Sequence, residues 1–307
     1  AKRHLPLQTW TIQPYLFDQL PRVLAYTEGF QDFTQARQAY VVNQLGAKAT
    51  HVLAAHWGDV WLDNMGFLDH PQPISDAALA AKLVAKYSKK GNDILKDLFQ
   101  DVLPQDASKV NTGIIEDQLS TLDGITDLDF KVKAWKTQAW SFRWTLASLR
   151  VYQMGLGVLL PFYDQRLADF FCTLPSKWVA GRKLQIDTLK TYAPDLAKVI
   201  WQPYDANLYN YQYFNTWLLP KRALKKLWRT LTRKHILQRN WEVQFLNPHG
   251  QEGLENWLLT PGLKLHNFVE KYQLETFLSD FFTHPNAANG YAISMLLTFS
   301  AWLEAYG

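Results

Sequence analysis

The sequence predicts an α/β region followed by an all-α region, and three observations predict it. Residues 1 to about 70 read in the order strand, helix, helix, strand, the signature of a layered α/β domain. Pro71-Gln72-Pro73 then breaks the chain. Beyond that break, apolar residues recur at helical spacing through a succession of segments. Residues 1–70 are therefore read as an α/β domain and residues 71–307 as a helical lobe.

In chain order, His4 to Ile12 alternates enough for a strand, and Gln13 to Tyr26 carries Tyr15, Leu16, Leu20, Val23 and Leu24 at helical spacing. Gln31 to Gly46 reads as a second helix stopped by its glycine. Ala49 to Ala55 is short, apolar and β-branched at its start, so a buried parallel strand is predicted. Ligands in open parallel sheets sit beyond the carboxyl ends of the strands. His56-Trp57-Gly58-Asp59 follows this one, so that loop is where chemistry is expected.

The lobe should hold helices over Ser75–Tyr87, Gly91–Phe99, Ile114–Leu122 and a long one from Asp129 to about Met154. After a loop near Lys177, a further helix runs through Ile186, Leu189 and Tyr192 as far as Pro194. Tyr204 to Phe214 is aromatic and irregular. Further helices are predicted over Arg222–Arg239, Gly253–Leu259, Leu263–Phe282 and Asn286–Tyr306.

Composition bounds the function. Hydrophobic residues make up 48% of the 307 and charged residues 20%, which is a folded chain. Cys172 is the single cysteine, so no internal disulfide forms; its apolar helix predicts a buried thiol and a reducing, cytoplasmic setting. No apolar run is long and uncharged enough to span a bilayer, and no signal peptide opens the chain. The net charge of +4 gives no argument for a nucleic-acid partner. The histidines lack metal-site spacings, and no Gly-x-Ser-x-Gly elbow occurs.

The stretch that organises the chain is Met154 to Pro175, MGLGVLLPFYDQRLADFFCTLP. An apolar run drives into Pro161-Phe162-Tyr163-Asp164, and Asp164 is placed to cap a helix starting at Gln165. Phe162 is expected to be buried. Together with the loop at His56–Asp59 and the block Leu174 to Leu196, this stretch resembles the C-terminal synthetase domain of the asparagine synthetase family. The resemblance covers most of residues 1–200, with the closing helix as a further match.

The resemblance implies an adenine nucleotide alpha hydrolase-like fold, with residues 1–70 as the later part of its sheet. It also implies an ATP-dependent, AMP-forming amide ligase, or the synthetase half of an amidotransferase, of the kind used in asparagine biosynthesis. Small-molecule carboxylate and amine substrates and the cofactors ATP and Mg²⁺ come with it. Asp59 matches the family's magnesium-binding Asp; a carboxylate is a hard oxygen ligand suited to Mg²⁺ on phosphates. His56 is assigned to an acyl-adenylate or a phosphate, and Lys183 and Lys190 to the pyrophosphate charge. Leu53, Ala54, Gly58 and Gly155 fall at cofactor-contacting positions.

Four positions depart from the family pattern. Val60 replaces its Glu after the magnesium ligand, Gly157 stands at a Glu that acts near the reacting nitrogen, Leu159 at an Arg, and Ile186 at a phosphate Lys. No Gly-Gly pair occurs, so the family's phosphate loop, Ser-Gly-Gly-x-Asp-Ser, is missing. The chain begins with Ala1, and a trimmed sequence whose loop lies upstream is expected. These departures also support a different class, a catalytically inactive relative serving as a binding or scaffold module. Lys221 to Arg239 (KRALKKLWRTLTRKHILQR) leaves two further readings: a basic helix that packs Leu224, Leu227, Trp228 and Leu231 on the core and solvates its charges, or one that docks on an anionic membrane surface or nucleic acid.

Overall fold

Capping side chains open helices where the sequence offers Ser, Asp or Asn. Ser75 accepts from the amide of Ala78 ahead of Asp76–Tyr87, and Asp127 from Phe130 ahead of Leu128–Lys136. Asn247 and Asn286 do the same for Pro248–Leu258 and Ala287–Tyr306. Each accepts an amide proton that the first helical turn cannot satisfy. The computed structural model describes residues 7–70, 73–88, 91–103, 107–202, 204–231 and 239–307, at 107, 108 and 229–231 the backbone alone. The described chain is mostly helical, with one small parallel sheet.

That sheet pairs β1, His51–Leu53, with β2, Gly157–Leu159, in the register His51 to Gly157, Val52 to Val158 and Leu53 to Leu159. The amide of Ala54 extends the ladder to the carbonyl of Leu159 at 2.9 Å. β1 is parallel as expected but not buried: His51 and Leu53 are exposed. With one neighbour on one side only, the strand keeps an open edge among the described residues. The strand predicted from His4 to Ile12 does not form over 7–12, where no described strand offers it a ladder; residues 4–6 lie outside the described residues.

The chain divides into two compact units whose segments alternate along the sequence. The smaller comprises Ala1–Trp10, Trp57–Asp69 and Phe162–Leu237; the larger comprises Thr11–His56, His70–Pro161 and Gln238–Gly307.

The larger unit has a continuous apolar core. Leu16, Leu20 and Val23 of the Leu16–Thr27 helix pack with Trp241, Phe245, Leu254, Phe281, Ile293 and Leu297. The first turn of that helix is capped from far away: the buried Gln244 side chain accepts from the amides of Tyr15 at 2.8 Å and Leu16 at 3.0 Å. Glycines bring backbones together where a side chain would not fit. A Cβ on Gly46 would lie 2.8 Å from the carbonyl oxygen of Gly155, which couples the Ala39–Gly46 helix to the approach to β2. The long helix expected from Asp129 to Met154 changes pitch instead. Leu128–Lys136 is α, Thr137–Thr145 is π-helical, Leu146–Leu149 is α and Arg150–Met154 is 3-10.

The smaller unit is built around aromatic side chains. Trp57, Trp61, Phe67, Phe171 and Phe214 are buried in it with Val60, Val179 and Ile186. Trp61 stacks on Phe171, ring centroids 5.9 Å apart. Cys172 is exposed rather than buried, because the short Gln165–Cys172 helix buries only Phe171. Pro194 does not merely end the preceding helix; it opens the short Pro194–Ala197 helix, where its missing amide is no loss.

Candidate functional site

β1 and β2 run parallel, so the segments that follow them leave the same end of the sheet. His56-Trp57-Gly58-Asp59 follows β1, and Pro161-Phe162-Tyr163-Asp164 follows β2. Within the smaller unit these two motif loops touch. Gly58 has room only for hydrogen, since a Cβ there would lie 2.6 Å from the Phe162 ring. The Trp61 indole N–H donates to the Phe162 carbonyl at 3.0 Å, and the Trp57 and Tyr163 rings meet at 6.2 Å. Trp57 itself holds a φ of 74°, a left-handed conformation that is an outlier for a bulky side chain. Such backbone persists only where surrounding packing enforces it, at a cost of about 1–3 kcal/mol. Here the enforcing contacts are its burial and the adjoining tight Gly58.

A third loop joins these two through Asp63, which the sequence reading passed over. Its Oδ1 accepts from the amides of Asn64 at 2.9 Å and Gly181 at 3.0 Å, and its Oδ2 from Arg182 Nε at 3.2 Å. Gly181 and Arg182 have consecutive left-handed φ values of 64° and 62°, turning the chain into the Lys183–Tyr192 helix. The Arg182 guanidinium also lies over the Trp201 ring at 5.6 Å, and the Tyr211 hydroxyl donates to the Gly181 carbonyl. Burial pushes the Tyr211 hydroxyl pKa up, and the Asp63 carboxylate adds to that. Asp63 stands one helical turn after Asp59, and Gly-Arg precedes the Lys helix; those two features were the available signals.

Asp164 caps Gln165–Cys172 as predicted, accepting from the Arg166 amide at 2.9 Å. The same carboxylate takes the Arg166 side chain at 2.7 and 3.0 Å. These Arg166 hydrogen bonds, side chain first and backbone second, lower its pKa from 3.8 to about 2. Phe162 is half-buried, not buried: one side covers Gly58 and the rest stays open.

The other predicted site residues fall in two groups. Gly58, Asp59, Lys183 and Lys190 belong to the smaller unit, and Leu53, Ala54, His56 and Gly155 to the larger. Asp59 is exposed in the first turn of Gly58–Trp61 and makes no hydrogen bond or ion pair among the described residues. Lys183 is exposed at the head of its helix, beside a cavity of about 370 Å³ that Trp178, Asp187 and Tyr192 also line. Lys190, two turns on, is half-buried with its ammonium over the Tyr209 ring at 5.7 Å. Ile186, between them, is buried in the unit's core.

In the larger unit, His56 is half-buried, Ala54 buried and Leu53 exposed. Gly155 serves packing, its Cα facing the Val42 carbonyl so closely that a Cβ would lie 3.2 Å from it. Gly157 is filled from across the strand pair: a Cβ there would lie 2.5 Å from Cδ2 of His51, whose Nδ1 meets the Thr50 hydroxyl at 2.9 Å. Among the described residues no group of three or more His, Cys, Asp and Glu side chains gathers to hold a metal by itself. Compared with known proteins, the chain matches no family model, no curated protein and no solved structure.

Proposed function

We propose that this chain carries part of the synthetase module of an asparagine synthetase-like carbon–nitrogen ligase, one that activates a carboxylate with ATP for attack by an amine or ammonia. One observation carries the reading. Two of the motif blocks follow neighbouring parallel strands, and the loops they form touch through Gly58, Trp61 and Phe162. Open α/β sheets bind nucleotides beyond the carboxyl ends of such strands.

The donor set fits Mg-ATP. Mg²⁺ on a nucleotide takes one or two protein carboxylates and fills its remaining positions with phosphate and water oxygens. Asp59 offers an exposed carboxylate with no competing partner among the described residues. Lys183 offers a mobile cation for phosphate oxygens. When bound, ATP would supply the activated phosphoanhydride. The chain's own contribution would be to hold charge with Asp59 and Lys183 and to fix the loop backbones through Asp63 and Phe162.

The second reading, an inactive binding or scaffold module, is favoured by Gly157. In the resembled family that position carries a Glu, and a glycine cannot act as a base unless another group moves in. The space that a side chain there would need is taken by the His51 ring, packed against Gly157 from the neighbouring strand.

Calorimetric titration of Mg-ATP decides between the two. The chain, joined to whatever coding sequence precedes it, should bind Mg-ATP in a magnesium-dependent way, and Asp59→Asn should weaken that binding. Absence of binding, or an Asp59→Asn variant that binds as well as the parent, would leave the scaffold reading. The 307-residue chain by itself should bind weakly, because lysine charges replace backbone phosphate donors poorly.

A further inference from the structure

The Leu219–Leu231 helix of the smaller unit packs the wrong way round for a helix that only completes a core. Two of its basic side chains, Arg222 and Lys225, are engaged by its own unit, while Lys221 and Lys226 are exposed. The Arg222 guanidinium donates to the Phe214 carbonyl at 2.9 Å and lies over the Tyr204 ring at 4.8 Å, while Lys225 pairs with Asp205 at 2.9 Å. At 100° per residue, Leu224 and Leu227 fall on the side away from Arg222, with Trp228 between them and Lys225. That side is open to solvent: Leu224 is 67% exposed, Leu227 55% and Trp228 69%. Trp217, just before the helix, is 84% exposed. Over its described residues the helix therefore does not lay Leu224, Leu227 and Trp228 on the core as one reading of Lys221–Arg239 expected; residues 232–238 of that stretch lie outside the described residues.

Charge says what covers the exposed face. No Asp or Glu occurs between Asp205 and Glu242, whereas Lys and Arg recur throughout Lys221–Arg239. Among the described residues Lys221 and Lys226 are exposed on the same helix, so a partner must accept large apolar side chains and positive charge on one helix. A bilayer with anionic headgroups does both: leucine and tryptophan enter the acyl boundary while lysine and arginine reach the headgroups. A nucleic acid would reward the cations and gain nothing from the leucines. We infer that the Trp217–Leu231 segment docks the protein on an anionic membrane surface, lying in the interface and not crossing it.

Co-sedimentation of the whole chain with phosphatidylcholine vesicles, with and without phosphatidylserine, tests this. Binding should require phosphatidylserine and weaken in high salt. Leu224→Gln combined with Leu227→Gln should lower partitioning by about tenfold or more with an unchanged thermal midpoint, since both side chains are exposed. Lys221→Gln combined with Lys226→Gln should lose the preference for phosphatidylserine. A second readout does not depend on the variants' folding: brominated phosphatidylserine should quench the parent's tryptophan fluorescence and quench Trp228→Phe less.

Failure of the parent to sediment would overturn the inference. So would a leucine variant that sediments like the parent, or duplex DNA binding that survives the leucine variant and exceeds vesicle binding. A dimer of the chain that the leucine variant dissociates, with no vesicle binding, would assign the face to a second copy instead.

Discussion

Asp63 holds more of the candidate site in place than any residue the motifs pointed to. It ties the loop after Gly58 to the left-handed pair Gly181-Arg182, and its carboxylate accepts three hydrogen bonds. Arg182 pays a steric cost for its positive φ, which the Asp63 and Trp201 contacts offset. Asp63→Ala should therefore destabilise the protein by about 1–2 kcal/mol, the scale of a partly exposed charge-assisted network. Asp63→Asn, which keeps an acceptor but not the charge, should lose less. Urea unfolding of the pair checks this, and an alanine variant as stable as the parent would refute the anchoring role.

Asp164 gives a pH dependence of known sign. Its pKa is depressed to about 2 in the folded chain, so its contribution is complete above the ordinary carboxylate value of 3.8 and is lost as pH falls towards 2. The stability difference between the parent and Asp164→Ala should shrink over that interval. A difference that stays constant from neutral pH down to about 2 would show that the charged cap contributes nothing.

At the scale of elements, two glycines make opposite predictions from the same substitution. Gly46 ends its helix against the backbone of Gly155, and a methyl there would press on a carbonyl oxygen that cannot swing away. Gly46→Ala should cost about 1–3 kcal/mol, as overpacking does. Gly113 lies inside the Ala107–Ser120 helix with no atom near its would-be Cβ. Gly113→Ala should stabilise by about 0.5–1 kcal/mol by removing backbone freedom from the unfolded chain. Thermal melts of both variants read the two signs directly. Neither sign was legible beforehand, because only the approach of a second backbone separates the two sites.

At the scale of the whole molecule, the core of the larger unit should outlast the rest. The Ala287–Tyr306 helix buries Ala292, Ile293, Leu296, Leu297 and Ala301 among the helices of that unit. Its amides, over 292–301, should be among the slowest to exchange, while those of β1, with its open edge, should exchange early. Hydrogen exchange read by mass spectrometry checks the order, and early exchange in the helix would contradict it.

By itself, the sequence placed most helical segments, because apolar periodicity and Ser, Asp and Asn caps act within a few residues, but not the breaks within Gln31–Gly46 and Leu263–Phe282 or the pitch changes before Met154. It also determined the parallel strand before His56, and the Asp164 cap, whose hydrogen bonds reach only to Arg166 and the turn behind it. The tertiary structure alone decided that β1 stands at an open edge, that His51 fills the space over Gly157, that Gln244 caps a helix begun at Leu16, and that Asp63 joins its own loop to Gly181-Arg182. It also decided which side of the Leu219–Leu231 helix faces out. Each of these depends on partners distant in sequence, and local pattern carries no information about which distant group arrives.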